Sequence, residues 1–565
     1  MKISGFSIAG GVVLLALAGM IRAQFGGPST QEWSTSGGDA QRSHWIRKDT
    51  LISKAAMSTG KFGFLWKLQV NSRPRQLNAF SWPVMVRNAM GYKGFRSLLV
   101  LAGPSNTVFA VDNDFGLMEW EKHFDVATPA ESTAPCPGGM TAAATRATSS
   151  DPAGLANRGG GARSFRGALS EPGAGASVDS APSLPGGRGA GQADAVGRGR
   201  AGGRGGGSSF GTGFLIGAQP IMVLASDGVL HFLSPVTAKE LLKPLQFIPA
   251  NAHATDLAAV NGVIYTATVN GCGGVPNALW AADPGVENQQ SRSWKTNGGS
   301  VVGTMAFGGD GAVYAAIGEG RAAEGGYSDS IVALDPATLT IKDWFTQPGA
   351  DFKSTPVVFR SKGKELLAEA TGDGRLFLLD TASLGGADHH TPLQVTPPSS
   401  GSRTSVVPDG LASWTDENGV QWLLAPSGSP SLSAGFKTTN GAVANGAIVA
   451  WKIAAGPKAS LEPAWVSRDI IAPLPPIVVN GVIFAVASGE YHPGDAAIGN
   501  SERTARSSPA VLYALDATTG KEIWNSGTAM TSFAHGTGLS SSPGQVYLAT
   551  SDSIVYAFGM PWERQ

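Results

Sequence analysis

The chain has 565 residues, with 42 Lys+Arg against 42 Asp+Glu, 77 Gly, and 42% hydrophobic residues including 14 Trp and 23 Phe. A zero formal balance gives no general electrostatic reason to expect a nucleic-acid partner, and the apolar content excludes a chain that is disordered throughout. Glycine runs at about twice its background of roughly 7%, which implies either many tight turns or a low-complexity tract.

Met1 to Ala23 reads as a secretory signal: Lys2 is the basic n-region, Val12 to Ala18 the apolar h-region, and Ile21-Arg22-Ala23 a cleavage site. The other reading is an uncleaved N-terminal anchor, although the apolar run falls short of the roughly 20 residues of a spanning helix. No later stretch is long enough to span a bilayer, so the expectation is a periplasmic or secreted protein. Export permits a disulfide. Cys136 and Cys272 are the only cysteines and both lie in Gly/Pro-rich loops, so they either pair or remain two buried thiols. Neither sits in a C-x-x-C pattern, which leaves zinc, thioredoxin-like chemistry and c-type haem attachment without support.

From residue 24 onward the chain repeats. Thr107 to Asp112 is an alternating apolar strand, followed by a turn at Gly116 and a second strand carrying Trp120. Ser330 to Asp335 leads in the same way to Trp344, and Val511 to Asp516 leads through Thr519-Gly520 to Trp524. Period-two alternation around an Asp-to-Gly turn predicts a β-hairpin. The Asp carboxylate accepts backbone amides across the turn and Gly supplies the positive φ. Further copies sit at Val229–Ser234, Ala278–Asp283, Arg375–Asp380, Ala447–Lys452 and Ser553–Gly559, and most are preceded by another strand pair, such as the one turning at Asn261-Gly262 or Asn480-Gly481. Four strands in roughly 40–50 residues is the period of a propeller blade; the longer intervals hold insertions at 427–440 and 491–508. The expectation is an all-β, eight-bladed β-propeller of four-stranded antiparallel blades. The last copy lacks its Trp-bearing edge, and Gly63–Val70 near the N-terminus has that character, so the two ends are predicted to close the ring.

The repeats, above all Ala514-Leu515-Asp516-Ala517-Thr518-Thr519-Gly520-Lys521-Glu522-Ile523-Trp524, resemble those of the quinoprotein alcohol dehydrogenase-like superfamily. The stretch Trp33 to Ser43 resembles that family's entry segment. The resemblance implies pyrroloquinoline quinone (PQQ) on the propeller axis above a Trp, beneath a disulfide of adjacent cysteines, with Ca²⁺ or a lanthanide and an Asp general base. This sequence has no adjacent Cys pair, and its one Asp-x-Asp, Asp112-Asn113-Asp114, falls in a hairpin turn. It implies as well an exported oxidoreductase acting on an alcohol or sugar. The alternative is a non-catalytic scaffold that shares the repeat and binds envelope proteins or a polymer. The expected partners are therefore a small-molecule ligand or an envelope protein.

Residues 137–213, rich in Gly, Ala, Ser and Arg, cannot bury a core and are expected to be a disordered insert between a 24–136 entry segment with the first blade and the remaining blades in 214–565. A tolerated connecting loop is favoured over an anion-binding tract. Loops leading into innermost propeller strands open onto the axis, which makes His253, Lys353, Arg468 and His535 the candidates for an anionic-ligand pocket. Asp388-His389-His390 reads as an exposed loop, and no metal site is expected from the residues alone.

Overall fold

The computed structural model describes residues 32–151 and 219–561, apart from short stretches at 92–93, 128–131, 287–289, 322–324, 399–409, 429–434, 455–457 and 492–497. The expected signal at 1–23 and residues 152–213 of the expected insert lie outside the described residues. No described helix is long and apolar enough to cross a membrane.

The strands form an eight-bladed propeller. In chain order the blades span 84–123, 221–246, 258–295, 301–346, 357–395, 412–466 and 477–525. The eighth combines 540–559 with Gly63–Gln69. Closure follows the expected route: Gly63 pairs antiparallel with Gly559 and Gln69 with Ile554. The edge strand therefore comes from one end of the chain and its three partners from the other, which removes two open edges at once.

The repeated residues have separate jobs. The turn carboxylates cap backbone amides: Asp112 accepts from Asp114 and Phe115, Asp335 from Ala337 and Thr338, and Asp516 from Thr518 and Thr519. In three blades the outer-strand Trp lies opposite an alanine, Ala110 with Trp120, Ala450 with Trp465 and Ala514 with Trp524, beside a one-residue register shift. The ring then covers the turn of the next blade. A Cβ on Gly520 would lie 2.3 Å from the Trp465 ring, and one on Gly116 would lie 2.5 Å from Trp66. Both glycines also hold φ near +70°, so these two positions require Gly for conformation and for space. Between the blades, apolar residues such as Leu99, Val111, Phe484 and Val555 are fully buried in continuous clusters.

The insert boundary is a correction to the expected start at residue 137. Residues 137–151 belong to the propeller: Met140, Ala142, Ala143 and Ala144 are buried, Thr145 bridges to Met222, and Ala147–Thr148 run parallel to Ala259–Val260. Thr145 thus extends the inner edge of blade 2, and Ala147–Thr148 extend the inner edge of blade 3. Their small side chains resemble the low-complexity tract in composition, so the alternation that marks other inner strands is lost.

Candidate functional site

The entry segment forms the floor of the axis. It crosses the ring and accepts one amide from each of six inner strands in turn: Trp33 O from Met85 (2.7 Å), Ser34 O from Arg146 (2.8 Å), Ala40 O from Phe307 (3.0 Å), Gln41 O from Val358 (3.0 Å), Ser43 O from Ser413 (2.9 Å) and His44 O from Val478 (2.8 Å). Arg42 and His44 hold φ of 60° and 52°, which swings alternate groups outward to reach these partners at the cost of local strain.

Among the buried polar side chains of the floor, Arg42 and His44 are the two that titrate. Arg42 donates Nε to Met305 O (2.7 Å) and Nη1 to Thr35 Oγ1 (2.9 Å) and to the carbonyl of Ser36. Burial pulls its pKa down to about 10, opposed by the charges of Asp256 and Asp39, so it stays a cation at neutral pH. His44 donates Nδ1–H to Leu411 O (2.8 Å). Burial lowers its pKa to about 4, so the ring is neutral, and Nε2 keeps a lone pair with no protein partner.

Above this floor lies a cavity of about 470 Å³, within the range of small-molecule sites. Its walls come from the loops that enter blades 1, 3, 4, 5 and 8. Arg42, Arg75 and Lys353 bring three cations, and Asp256 is the only carboxylate among the lining residues. Lys353 is tied to Asp351 at 2.7 Å. Trp82 contributes a half-buried indole whose ring approaches His44 at 5.6 Å and closely covers Gly538. His253 is held by Pro135 O at 2.8 Å, and burial lowers its pKa, which leaves it neutral at neutral pH.

A strap closes one side of the mouth. Cys136 and Cys272 are joined by a disulfide with Cα atoms 5.6 Å apart. Beside it Pro135 O accepts from His253 and from Asn270 Nδ2 (3.0 Å), and Pro137 O accepts from Arg75 Nε (2.9 Å). Ala134, Pro137 and Gly138 of the strap line the cavity. The disulfide therefore ties together loops 136 residues apart in sequence and sits at the rim of the site.

The structure brings His253 and Lys353 into the cavity and leaves Arg468 outside, a correction to the sequence expectation. Arg468 pairs with Glu522 on the outer strand of blade 7 and lies over the Tyr513 ring at 4.8 Å. The reason is its place in the loop. Such a loop starts at the rim and ends at the axis, and Arg468 follows its outer strand directly, whereas His253 and Lys353 stand close before an inner strand. His535 donates Nδ1–H to Glu490 at 2.8 Å; its neighbour Gly536 lines the cavity, but His535 does not. Arg42, Arg75, His44 and Trp82 were missed as pocket residues. Trp82 was within reach of the same loop rule, since it precedes the inner strand Val84–Gly91.

No three of His, Cys, Asp and Glu converge as metal ligands among the described residues. Asp112 and Asp114 belong to a turn, and His389 stacks on Trp344 at 3.7 Å.

Comparison with solved structures places the fold. A quinohemoprotein alcohol dehydrogenase from Comamonas testosteroni matches 97% of this chain and 83% of its own, at 15% identity and a TM-score of 0.53. The quinohemoprotein alcohol dehydrogenase ADHIIG of Pseudomonas putida HK5 matches 95% and 81%, at 12% identity and 0.53. A europium-containing methanol dehydrogenase matches 96% and 100%, at 11% identity and 0.52. The chain shares its eight-bladed propeller fold with quinoprotein dehydrogenases. No family model and no curated protein sequence matches it.

Proposed function

We propose that the axial cavity binds a flat, carboxylate-bearing quinone of the PQQ type, and that the chain is an exported quinoprotein-like oxidoreductase for an alcohol or sugar. The carrying observation is the cavity itself: three cations, Arg42, Arg75 and Lys353, surround a space bounded by the Trp82 indole, with Asp256 the only carboxylate among the lining residues and Asp351 paired to Lys353 beside them. Cations suit carboxylates, and an aromatic face suits a planar ring. Bound there, a quinone would supply a two-electron acceptor for a carbinol. The chain's own part would be to hold the carboxylates with Lys353 and Arg75, to cover one ring face with Trp82, and to offer neutral imidazole at His253 for hydrogen bonding.

The residues do not fit the accompanying Ca²⁺ or lanthanide. Hard cations take several oxygen ligands, and the cavity offers one carboxylate, which already accepts the Ala143 amide at 3.0 Å. This mismatch favours a second reading, a propeller that keeps an anion pocket without turnover and serves as a scaffold for an envelope protein or polymer.

Purified protein mixed with PQQ, alone and with Ca²⁺ or La³⁺, separates the readings. Quinone absorbance that survives desalting, with dye reduction on adding alcohols, supports the oxidoreductase. Retained quinone without dye reduction supports a binding protein, and loss of all quinone on desalting rejects the pocket assignment.

A further inference from the structure

Lys353 lines the cavity with a carboxylate of the chain already on its ammonium. Its Nζ lies 2.7 Å from Asp351 Oδ1, and Asp351 is not among the lining residues. The pair therefore spans the cavity edge, with the cation inside and the carboxylate behind it. Phe352, between them in sequence, is fully buried against Phe345 of blade 4 and Phe377 of blade 5. The side chains on either side of Phe352 meet outside that core.

The two ends of the pair differ in freedom. Asp351 is pinned close to its carboxylate. Its φ is 52°, its N–H donates to Asp329 Oδ1 at 3.1 Å, and its carbonyl accepts the Gly372 N–H at 3.0 Å. Its short side chain is only 16% exposed. Lys353 is pinned only through its backbone. Its N–H donates to Ala370 O at 3.0 Å, and the next residue, Ser354, is bound twice by buried Glu369. The Lys353 side chain is 47% exposed, and its flexible four-carbon stem lets the ammonium swing while the backbone stays. A carboxylate that cannot follow thus faces a cation that can leave, and an ion pair this exposed holds the cation only weakly.

We propose that Asp351 is an internal competitor of the cavity ligand: it holds the Lys353 ammonium until a carboxylate of the ligand takes that ammonium over, and so sets affinity and release. This rests on the anionic ligand proposed above and adds a residue that opposes its binding. Once the ammonium has moved, the Asp351 charge stays behind it and repels a ligand carboxylate, so competition and repulsion act in the same direction. A carboxylate that served only to aim Lys353 would act in the other direction, because its removal would cost the ligand a well-placed cation. The sign of the change on removing the charge separates the two roles.

The test is calorimetric titration of the full chain and of its D351N, K353M and D351N/K353M variants. The probes are PQQ and benzene-1,3,5-tricarboxylate, which carries carboxylates and no quinone. Asn keeps the shape of Asp and tolerates positive φ, and D351G, unstrained there, is a second charge-free variant; thermal melting compares each with the parent. The expected result is that D351N binds both probes about three- to tenfold more tightly than the parent, with a gain that shrinks at high salt. Most of that gain should disappear in the K353M background. Equal or weaker binding by D351N and D351G overturns the proposal, and leaves the quinone assignment standing where PQQ still binds. Tighter binding of the tricarboxylate alone, with no PQQ bound by any variant, supports the proposal and rejects the quinone. An undiminished gain in the K353M background overturns it, since Asp351 would then act on the ligand without Lys353. Absence of binding of both probes to every variant overturns it together with the anion pocket.

Discussion

The indole Nε1 of Trp66 donates to the carbonyl of Asn113 at 2.8 Å, and this bond crosses the seam where the ring closes. Trp66 belongs to the N-terminal strand that completes blade 8, and Asn113 to the turn of blade 1. The Trp120 indole makes the equivalent bond to Pro235 O at 2.7 Å between blades 1 and 2. The seam is thus held by the same contact as an ordinary blade junction. Trp66→Ala is expected to destabilise the protein by about 3–5 kcal/mol, as for other large aromatic truncations in a core. Gly116→Ala should cost upwards of about 1 kcal/mol, because its φ is positive and its Cβ would strike the Trp66 ring. Urea unfolding of both variants measures this, and a loss below about 1 kcal/mol for Trp66→Ala would show the seam to be slack.

The Cys136–Cys272 disulfide should matter both to stability and to the cavity. Replacing either cysteine by Ser is expected to cost about 2–4 kcal/mol. The parent melting temperature should fall on adding reductant, while that of the Cys variants should not change. Because Pro135 O orders His253 and Asn270, the Cys variants should also release a bound quinone faster. An unchanged release rate would mean that the strap holds its place through its hydrogen bonds alone.

Glu369 gives stability a pH slope. Its Oε1 accepts Ser354 N at 3.1 Å and Ser354 Oγ at 2.7 Å, and its Oε2 is buried without a partner. Burial pushes the carboxyl up from 4.5 to about 8, against the pull of the Ser354 hydrogen bonds. Between those values the folded chain holds a proton that the unfolded chain has released. This group's contribution is therefore fully present below the lower value and declines by about 1.4 kcal/mol per pH unit until the upper one is passed. Glu369→Gln should flatten that part of the profile. Urea midpoints at acidic, neutral and alkaline pH test this, and an identical slope in the variant would refute it.

Lys353 and Arg468 separate cavity from rim. Lys353→Ala should weaken quinone retention by about three- to tenfold, the exposed charge being partly screened by solvent. Arg468→Ala should leave retention unchanged and cost less than about 1 kcal/mol in stability, as a surface ion pair does. Titration of tryptophan fluorescence with PQQ reads both, and equal weakening by the two would place the ligand elsewhere.

The repeat was legible in the residues because a blade is written locally. Asp335 and Asp516 cap amides two and three residues away, and the strands around them alternate with period two, so Thr107 to Trp120 or Val511 to Trp524 declares a hairpin without reference to the rest of the chain. Ring closure was legible as well, since the edge strand missing at Phe558 has its counterpart at Trp66. The cavity was legible only in part. Proximity to an inner strand separates His253 and Lys353 from Arg468, and strand ends are poorly marked in sequence.

By itself, then, the sequence determined the strand pattern, the blade count and the joining of the two ends, all of which rest on alternation and turn chemistry within short windows. Tertiary structure decided the rest. It put Arg42 and His44 beneath the axis, paired Cys136 with Cys272 and drew residues 137–151 into the inner edges of blades 2 and 3. Each of these depends on which distant segments the closed ring brings together, and no local pattern of residues encodes that distance.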